Sequence, residues 1–126
     1  MTSANGLPSK PRVLVVDDER VIADTLAIIL NQNGFEASAV YTGLGAVERA
    51  QEVKPDLIIS DVIMPDMNGI EAAIRIRSML PSCKILLFSG QASTADLLEK
   101  ARLQGHEFEI LAKPVHPQDL LAKLRN

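Results

Sequence analysis

The stretch LIISDVIMPDMNG, residues 57–69, begins with the most strand-like segment of the chain. Its apolar run stops at a carboxylate, Asp61, and Pro65 and Gly69 then interrupt any regular structure. Burying an unpaired carboxylate in apolar surroundings costs several kcal/mol or forces the group to hold a proton. An acid at the end of such a strand therefore indicates surroundings that stabilise its charge.

Outward from this segment, strand patterns alternate with helical patterns over the whole chain. Strands are predicted at residues 13–16, 35–42, 57–60, 84–88 and 108–112, and helices at residues 21–33, 45–54, 69–80, 94–104 and 117–125. Strict alternation implies right-handed βαβ crossovers, which place helices over both faces of a parallel sheet. The predicted fold class is α/β, with a single doubly wound, five-stranded parallel sheet that has helices on both faces.

Length and composition fit one compact globular domain. The chain has 126 residues, of which 47% are hydrophobic and 23% are charged. Residues 1–11 are rich in Ser, Pro, Asn and Gly and are predicted to form a disordered tail, which leaves residues 12–126 as the domain. The single cysteine, Cys83, excludes an internal disulfide and any metal site built from several cysteines.

Charge and hydropathy argue against several classes of partner. A net charge of −3 supplies no basic field for nucleic acid or anionic lipid. The longest apolar helical run, residues 26–30, is far too short to span a bilayer, and the amino-terminal residues lack the apolar core of a secretion signal. These features predict cytoplasmic localisation, with neither nucleic acid nor a membrane as partner.

Polar side chains follow four of the predicted strands at the point where each strand ends. Asp17 and Asp18 follow the first strand, Asp61 follows the third, Ser89 the fourth and Lys113 the fifth. In an open parallel sheet, ligands bind beyond the carboxyl ends of the strands. Three carboxylates, a hydroxyl and an ammonium group are therefore expected to meet at one edge of the sheet.

This set of groups suits the transfer of a phosphoryl group. Clustered carboxylates repel one another and favour a hard divalent cation such as Mg²⁺, which binds oxygen ligands. Lys113 supplies a positive charge for a phosphate, and an aspartate can act as nucleophile and form an aspartyl-phosphate. Asp61 is the best candidate because it ends the middle strand. Taken alone, Asp18 also fits a helix cap, but complementary groups at four strand ends favour a site.

The motifs VLVVDDE, LIISDVIMPDMNG, LLFSG and LAKP resemble, in order and spacing, the receiver domain of two-component response regulators. The resemblance extends from about Arg12 to the end of the chain and implies a flavodoxin-like fold. It implies that Asp61 accepts a phosphoryl group from a sensor histidine kinase or a histidine phosphotransfer protein. Such a domain is a signalling module that catalyses its own phosphorylation and dephosphorylation, and is not otherwise an enzyme.

The resemblance also implies a metal site and a docking position. Asp17 and Asp18 would hold Mg²⁺ together with Asp61 and the backbone carbonyl of Ile63. Kinase partners of the family dock beside the acidic pair through an exposed apolar position, for which Ile22 is the candidate. Packing in the core is an equally good interpretation of Ile22. Gly69 is expected to keep side chains away from the site, since glycine permits close approach.

The resemblance assigns the switch to the last two strands, where this sequence departs from the family. Ser89 would hydrogen-bond a phosphoryl oxygen, and Lys113, followed by a cis bond to Pro114, would pair with the phosphoaspartate. Family members usually have Tyr or Phe three residues before this lysine, and that ring reorients when the hydroxyl moves toward phosphate. Here the position is Ile110, and the nearest ring, Phe108, is predicted to lie in the core. The loop and helix after Ser89 are therefore predicted to carry the conformational change.

Two other functions share parts of this pattern. A haloacid-dehalogenase-like phosphatase also uses an aspartyl nucleophile with Mg²⁺, but its D-x-D-x-[TV] motif is not matched by DDERV after the first strand. A pseudo-receiver, which binds protein without being phosphorylated, does not require the complete set of acidic residues, serine and lysine. Nucleotide-binding glycine motifs follow none of the predicted strands.

Overall fold

The computed structural model describes residues 10–90 and 93–125. Most of the predicted tail, residues 1–9, lies outside the described residues. Residues 91–92 of the loop after Ser89, to which part of the predicted conformational change was assigned, also lie outside them.

Five strands alternate with five helices along the described chain. The strands are β1 (Arg12–Val16), β2 (Glu36–Val40), β3 (Leu57–Asp61), β4 (Lys84–Ser89) and β5 (Glu109–Ala112). The helices are α1 (Arg20–Asn31), α2 (Gly43–Val53), α3 (Gly69–Met79), α4 (Ser93–Leu103) and α5 (Pro117–Leu124). Each predicted element is present, and the bounds differ from the predicted ones by a few residues at most.

The strands form one parallel sheet in the order β2-β1-β3-β4-β5, which confirms the predicted α/β fold. Strand order reverses between β1 and β3, and ligands of doubly wound sheets bind at such a reversal. The register places Ser60 beside Val16 and Asp61 beside Phe88, so β1, β3 and β4 end at the same edge. The sheet therefore gathers the polar residues that follow these strands.

Side chains of β1 alternate between the two faces of the sheet and are buried on both. Val13 and Val15 pack in one core cluster with residues of α1 and α5, whereas Leu14 and Val16 pack in a second cluster with residues of α2 and α3. Successive strand residues point to opposite faces, and helices cover each face of a parallel sheet. The continuous apolar run VLVV is explained by this double coverage.

Within residues 10–90 and 93–125, no helix combines the length and the apolar character needed to cross a membrane.

Candidate functional site

Three carboxylates meet where β1 and β3 end. Asp17 is fully buried, Asp61 is 7% exposed, and Asp18 is exposed. Each offers an oxygen atom, and these oxygens all lie within 4.8 Å of one another. The structure thus brings together the carboxylates that sequence analysis expected at this edge, in a group that could hold a metal ion.

The side chain of Asp17 has too few hydrogen bonds to offset the cost of burying its carboxylate. Its Oδ1 accepts a hydrogen bond from the backbone N–H of Glu19 at 2.9 Å, but its Oδ2 accepts none from any described residue. Burial raises the pKa of Asp17 to about 6, and the neighbouring charge of Asp61 adds to the increase. Because a buried oxygen without a donor is costly, this carboxylate fits a bound cation better than it fits the protein alone.

The helix-cap interpretation of Asp18 is wrong. Helix α1 begins at Arg20, its cap residue is Glu19, and no side-chain cap hydrogen bond forms within the part of the chain described. The carboxylate that accepts a hydrogen bond from the backbone just before α1, at Glu19, is that of Asp17. Asp18 instead directs an exposed carboxylate toward the acidic group.

Lys113, which follows β5, reaches the same group. Its Nζ lies 3.1 Å from Oδ1 of Asp61 and 3.9 Å from Oδ2 of Asp17. Its backbone N–H donates to the carbonyl of Ser89 at 3.1 Å, and the following bond to Pro114 is cis, as the resemblance implied. A Cβ atom on Gly90 would lie 2.8 Å from Cβ of Lys113, so the glycine leaves room for the lysine side chain.

A cavity of about 390 Å³ opens beside Asp61. Its lining combines three acidic residues with the lysine and includes a residue of α4; the lining residues are Asp18, Glu19, Asp61, Ile63, Gly90, Thr94 and Lys113. Ile63, whose carbonyl the resemblance assigns to the metal, therefore borders the same space as the acidic residues. The cavity has room for a small anion beside a hydrated cation.

The loop between β3 and α3 ends in a close backbone contact at Gly69. A Cβ atom at this position would lie 2.0 Å from the carbonyl oxygen of Asp61, a distance that no side chain can occupy. The backbone N–H of Gly69 donates to the carbonyl of Val62 at 2.7 Å. The expectation that Gly69 avoids crowding at the site is met, since the glycine allows the loop to fold back on Asp61.

Asp66 ties this loop to the amino end of α2, a role that sequence analysis missed. Its carboxylate accepts hydrogen bonds from the backbone N–H groups of Gly43 at 3.1 Å and Leu44 at 2.9 Å. These bonds lower the pKa of Asp66. The Thr42 hydroxyl caps the same helix by accepting a hydrogen bond from the backbone N–H of Gly45 at 2.9 Å. The amino end of α2 is therefore capped both by the adjacent Thr42 and by Asp66 from the loop after β3.

The Ser89 hydroxyl forms a hydrogen bond with the hydroxyl of Thr94. Thr94 lies in the first turn of α4, is 2% exposed and lines the cavity beside Asp61. Sequence analysis assigned no role to Thr94, because a threonine at a helix start is also an ordinary cap residue.

The two candidate residues for an aromatic or aliphatic switch, Phe108 and Ile110, are both half-buried. Phe108 lies just before β5, and each of the two packs against a core cluster between the sheet and the helices α3 and α4, so Phe108 borders the core without being fully buried in it. The guanidinium of Arg77 stacks over the Phe108 ring at 4.2 Å from its centre and donates to the carbonyl of Glu107 at 3.0 Å. The predicted strand start at Phe108 is one residue early, since β5 begins at Glu109.

An apolar groove of about 660 Å³ lies next to the site, between α1 and the chain after Lys113. Ile22 lines it and is half-buried, packing against the core, whereas its neighbour Val21 is 78% exposed. The structure supports the core-packing interpretation of Ile22, and its role in docking stays a prediction. Sequence analysis missed Val21 as the more accessible apolar side chain.

Comparisons with known proteins agree with this geometry. A family model described as "Response regulator receiver domain" matches residues 13–125. Chemotaxis protein CheY of Thermotoga maritima is 34% identical over 114 residues, which cover 90% of this chain and 93% of that protein. The DNA-binding response regulator MtrA of Mycobacterium tuberculosis is 31% identical over 118 residues, which cover 92% of this chain. The chain spans about half the length of MtrA, of which 50% is covered.

Solved structures have the same fold. A CheY-like response regulator receiver domain protein from Methanospirillum hungatei has a TM-score of 0.83 and 29% identity, with 93% of this chain and 92% of that chain covered. Chemotaxis protein CheY4 of Vibrio cholerae has a TM-score of 0.79 and 32% identity, with 92% of this chain and 97% of that chain covered.

Proposed function

The chain belongs to the receiver domains of response regulators, and we propose that it acts as a signalling switch by accepting a phosphoryl group on Asp61. The observation that carries this proposal is the contact of 3.1 Å between Lys113 Nζ and Asp61, beside the acidic pair and open to a cavity. The donor would be a phosphohistidine of a sensor histidine kinase or a phosphotransfer protein.

We further propose that the acidic group holds Mg²⁺. Asp17, Asp18 and Asp61 would supply carboxylate oxygens, and Ile63 its backbone carbonyl. The buried Oδ2 of Asp17, which has no hydrogen-bond donor among the described residues, supports this assignment. When bound, the ion neutralises negative charge on the phosphoryl oxygens.

The side chains of this chain have distinct roles in the transfer. An oxygen of Asp61 forms a bond to phosphorus while the bond from phosphorus to the donor histidine nitrogen breaks. Lys113 pairs with the negative charge of the resulting phosphoaspartate, and Ser89 donates a hydrogen bond to a phosphoryl oxygen. Hydrolysis of the acyl phosphate by water returns Asp61 to its carboxylate form.

The groove beside α1 is the proposed docking surface for the phosphoryl donor. Val21 and Ile22 offer apolar contacts within one helical turn of the acidic pair, so a partner seated there brings its histidine close to Asp61. The net charge of −3 argues against nucleic acid as a partner of these residues.

The two alternatives make different predictions about phosphorylation. A pseudo-receiver would take up no phosphoryl group, and the complete set of Asp17, Asp18, Asp61 and Lys113 argues against it. A haloacid-dehalogenase-like phosphatase would carry its nucleophile after β1, whereas the lysine lies closest to Asp61, at the end of β3.

Labelling with acetyl phosphate and Mg²⁺ tests the proposal. Wild-type protein should gain one phosphoryl group, seen by intact-mass spectrometry and lost after treatment with EDTA and alkali, which cleaves acyl phosphates. Asp61→Asn should abolish the label because the amide lacks the nucleophilic oxygen. The matched control is Asp56→Asn at the opposite end of β3, where the carboxylate accepts a backbone hydrogen bond from Arg12 at 2.8 Å. An unlabelled wild type, or a labelled Asp61→Asn variant, would contradict the proposal.

A further inference from the structure

We propose that Thr94 is a positioning residue that holds the Ser89 hydroxyl away from Asp61 until a phosphoryl group is present. Thr94 then sets how readily Ser89 turns toward the phosphoryl group, and it passes the change to α4. This inference rests on the proposed function, because it concerns the hydroxyl that would bind the phosphoryl oxygen.

The hydrogen bond between the two hydroxyls is the first observation. Ser89 is the last residue of β4, and Thr94 lies in the first turn of α4, where it is 2% exposed. Buried hydroxyls are nearly always hydrogen-bonded, so this bond gives the Ser89 hydroxyl a defined resting position.

The second observation is the position of the pair relative to the cavity. Among the described residues that line the space beside Asp61, Thr94 is present and Ser89 is absent. In the inference, Ser89 turns its hydroxyl from Thr94 toward the phosphoryl oxygen. A serine hydroxyl has a single proton to donate, so with Ser89 as the donor of the pair, the phosphoryl group and Thr94 compete for that proton.

The third observation concerns the alternative route for the signal. The family resemblance implies a ring three positions before the lysine that reorients as the hydroxyl moves. Ile110 has no ring, and Phe108 is packed under the guanidinium of Arg77 at 4.2 Å. Because Thr94 belongs to α4, loss of the Ser89 hydroxyl changes the first turn of α4 directly. The hydroxyl pair is thus the connection between the site and this helix.

The affinity of the full chain for beryllofluoride, a phosphoryl mimic, in saturating Mg²⁺ tests the inference. Thr94→Val keeps the shape and removes the competing hydroxyl, so the affinity should rise by about two- to tenfold. Thr94→Ser keeps a hydroxyl and should behave as wild type. Thr94→Ala serves as a second variant if the valine variant does not fold. Ser78→Ala, which removes an exposed hydroxyl from α3, controls for hydroxyl loss in general.

A double-mutant cycle separates competition from a general effect on packing. On a Ser89→Ala background, Thr94→Val should no longer change the affinity for beryllofluoride, because no hydroxyl remains to compete for. An unchanged or weaker affinity in Thr94→Val with Ser89 intact would overturn the inference. An equal gain in beryllofluoride affinity when Thr94→Val is introduced on the Ser89→Ala background would also overturn the inference. If the wild-type chain fails to bind beryllofluoride at all, the proposed function itself is wrong, which is a distinct result.

Discussion

The site has two sides that differ in how closely they follow the receiver family. The accepting side consists of Asp17, Asp18 and Asp61 after β1 and β3, in the arrangement that the family motifs imply. The proposed transmitting side consists of Ser89, Thr94 and Ile110 on β4, α4 and β5, where two hydroxyls share a hydrogen bond and Ile110 packs against the core. Different strands carry the two sides. Phosphoryl chemistry can therefore be retained while the route of the signal changes.

Mg²⁺ binding should separate the two sides most strongly. Changing Asp17 and Asp18 together to Asn should weaken Mg²⁺ binding by more than about 100-fold, since even groups that only support metal ligands often contribute roughly 10–100-fold. Titration of Mg²⁺ followed by NMR measures the affinity. Thr94→Val should leave the affinity unchanged, because Thr94 belongs to the transmitting side. An equal loss of Mg²⁺ affinity in both variants would contradict the division of the site into an accepting and a transmitting side.

The pH dependence of the free energy of unfolding should also arise from the accepting side, through Asp17. Burial raises the pKa of Asp17 from 3.8 to about 6, so the folded protein binds this proton more tightly than the unfolded chain does. In the absence of Mg²⁺, the free energy of unfolding should therefore fall as pH rises from about 4 to 6. A shift of this size corresponds to at most roughly 3 kcal/mol. The charged side chains of Asp18, Asp61 and Lys113 surround the Asp17 carboxylate.

Urea unfolding across this pH range measures the effect. Asp17→Asn should flatten the fall between pH 4 and 6 and make the metal-free protein more stable at pH 7. Thr94→Val should keep the wild-type slope. If Asp17→Asn and wild type show the same slope, Asp17 is not the group that couples stability to pH.

A smaller effect on Mg²⁺ affinity should distinguish the loop after β3 from the helix α2, which the loop contacts through Asp66. Asp66→Asn and Thr42→Ala each weaken the hydrogen bonding at the amino end of α2, and each should cost about 1 kcal/mol of stability. Only Asp66 lies on the loop that carries Ile63, so only Asp66→Asn should also lower Mg²⁺ affinity, by a few-fold. A similar loss of Mg²⁺ affinity in Thr42→Ala would show that α2 itself positions the loop.

The fold and the accepting side could be predicted because their signals are local in the sequence. A continuous apolar run such as VLVV predicts a strand covered on both faces, and an acid directly after it lies at the sheet edge whatever packs around it. Asp17 and Asp61 are such acids. The hydrogen bonding at the start of α1 was harder to predict. Asp17, and not Asp18, accepts a hydrogen bond from the backbone N–H of Glu19 just before the helix.

The transmitting side could not be predicted because its contacts join residues without a shared sequence signature. A threonine that begins a helix indicates a cap, and nothing in the sequence shows that Thr94 meets the hydroxyl of Ser89. Asp66 likewise indicates a turn, although its partners Gly43 and Leu44 lie 23 and 22 residues earlier. Such pairings depend on how the elements pack, which only the folded structure supplies.

NMR of the Phe108 ring and of the Thr94 methyl and amide groups, with and without beryllofluoride in Mg²⁺, follows the proposed route of the signal. We expect large shifts for Thr94 and the first turn of α4, an unchanged Phe108 rotamer, and Ile110 remaining packed in its cluster. The ring should stay in place because the Arg77 guanidinium covers it. A change of the Phe108 rotamer, with Thr94 and α4 unchanged, would contradict the claim that the signal leaves the site through the hydroxyl pair.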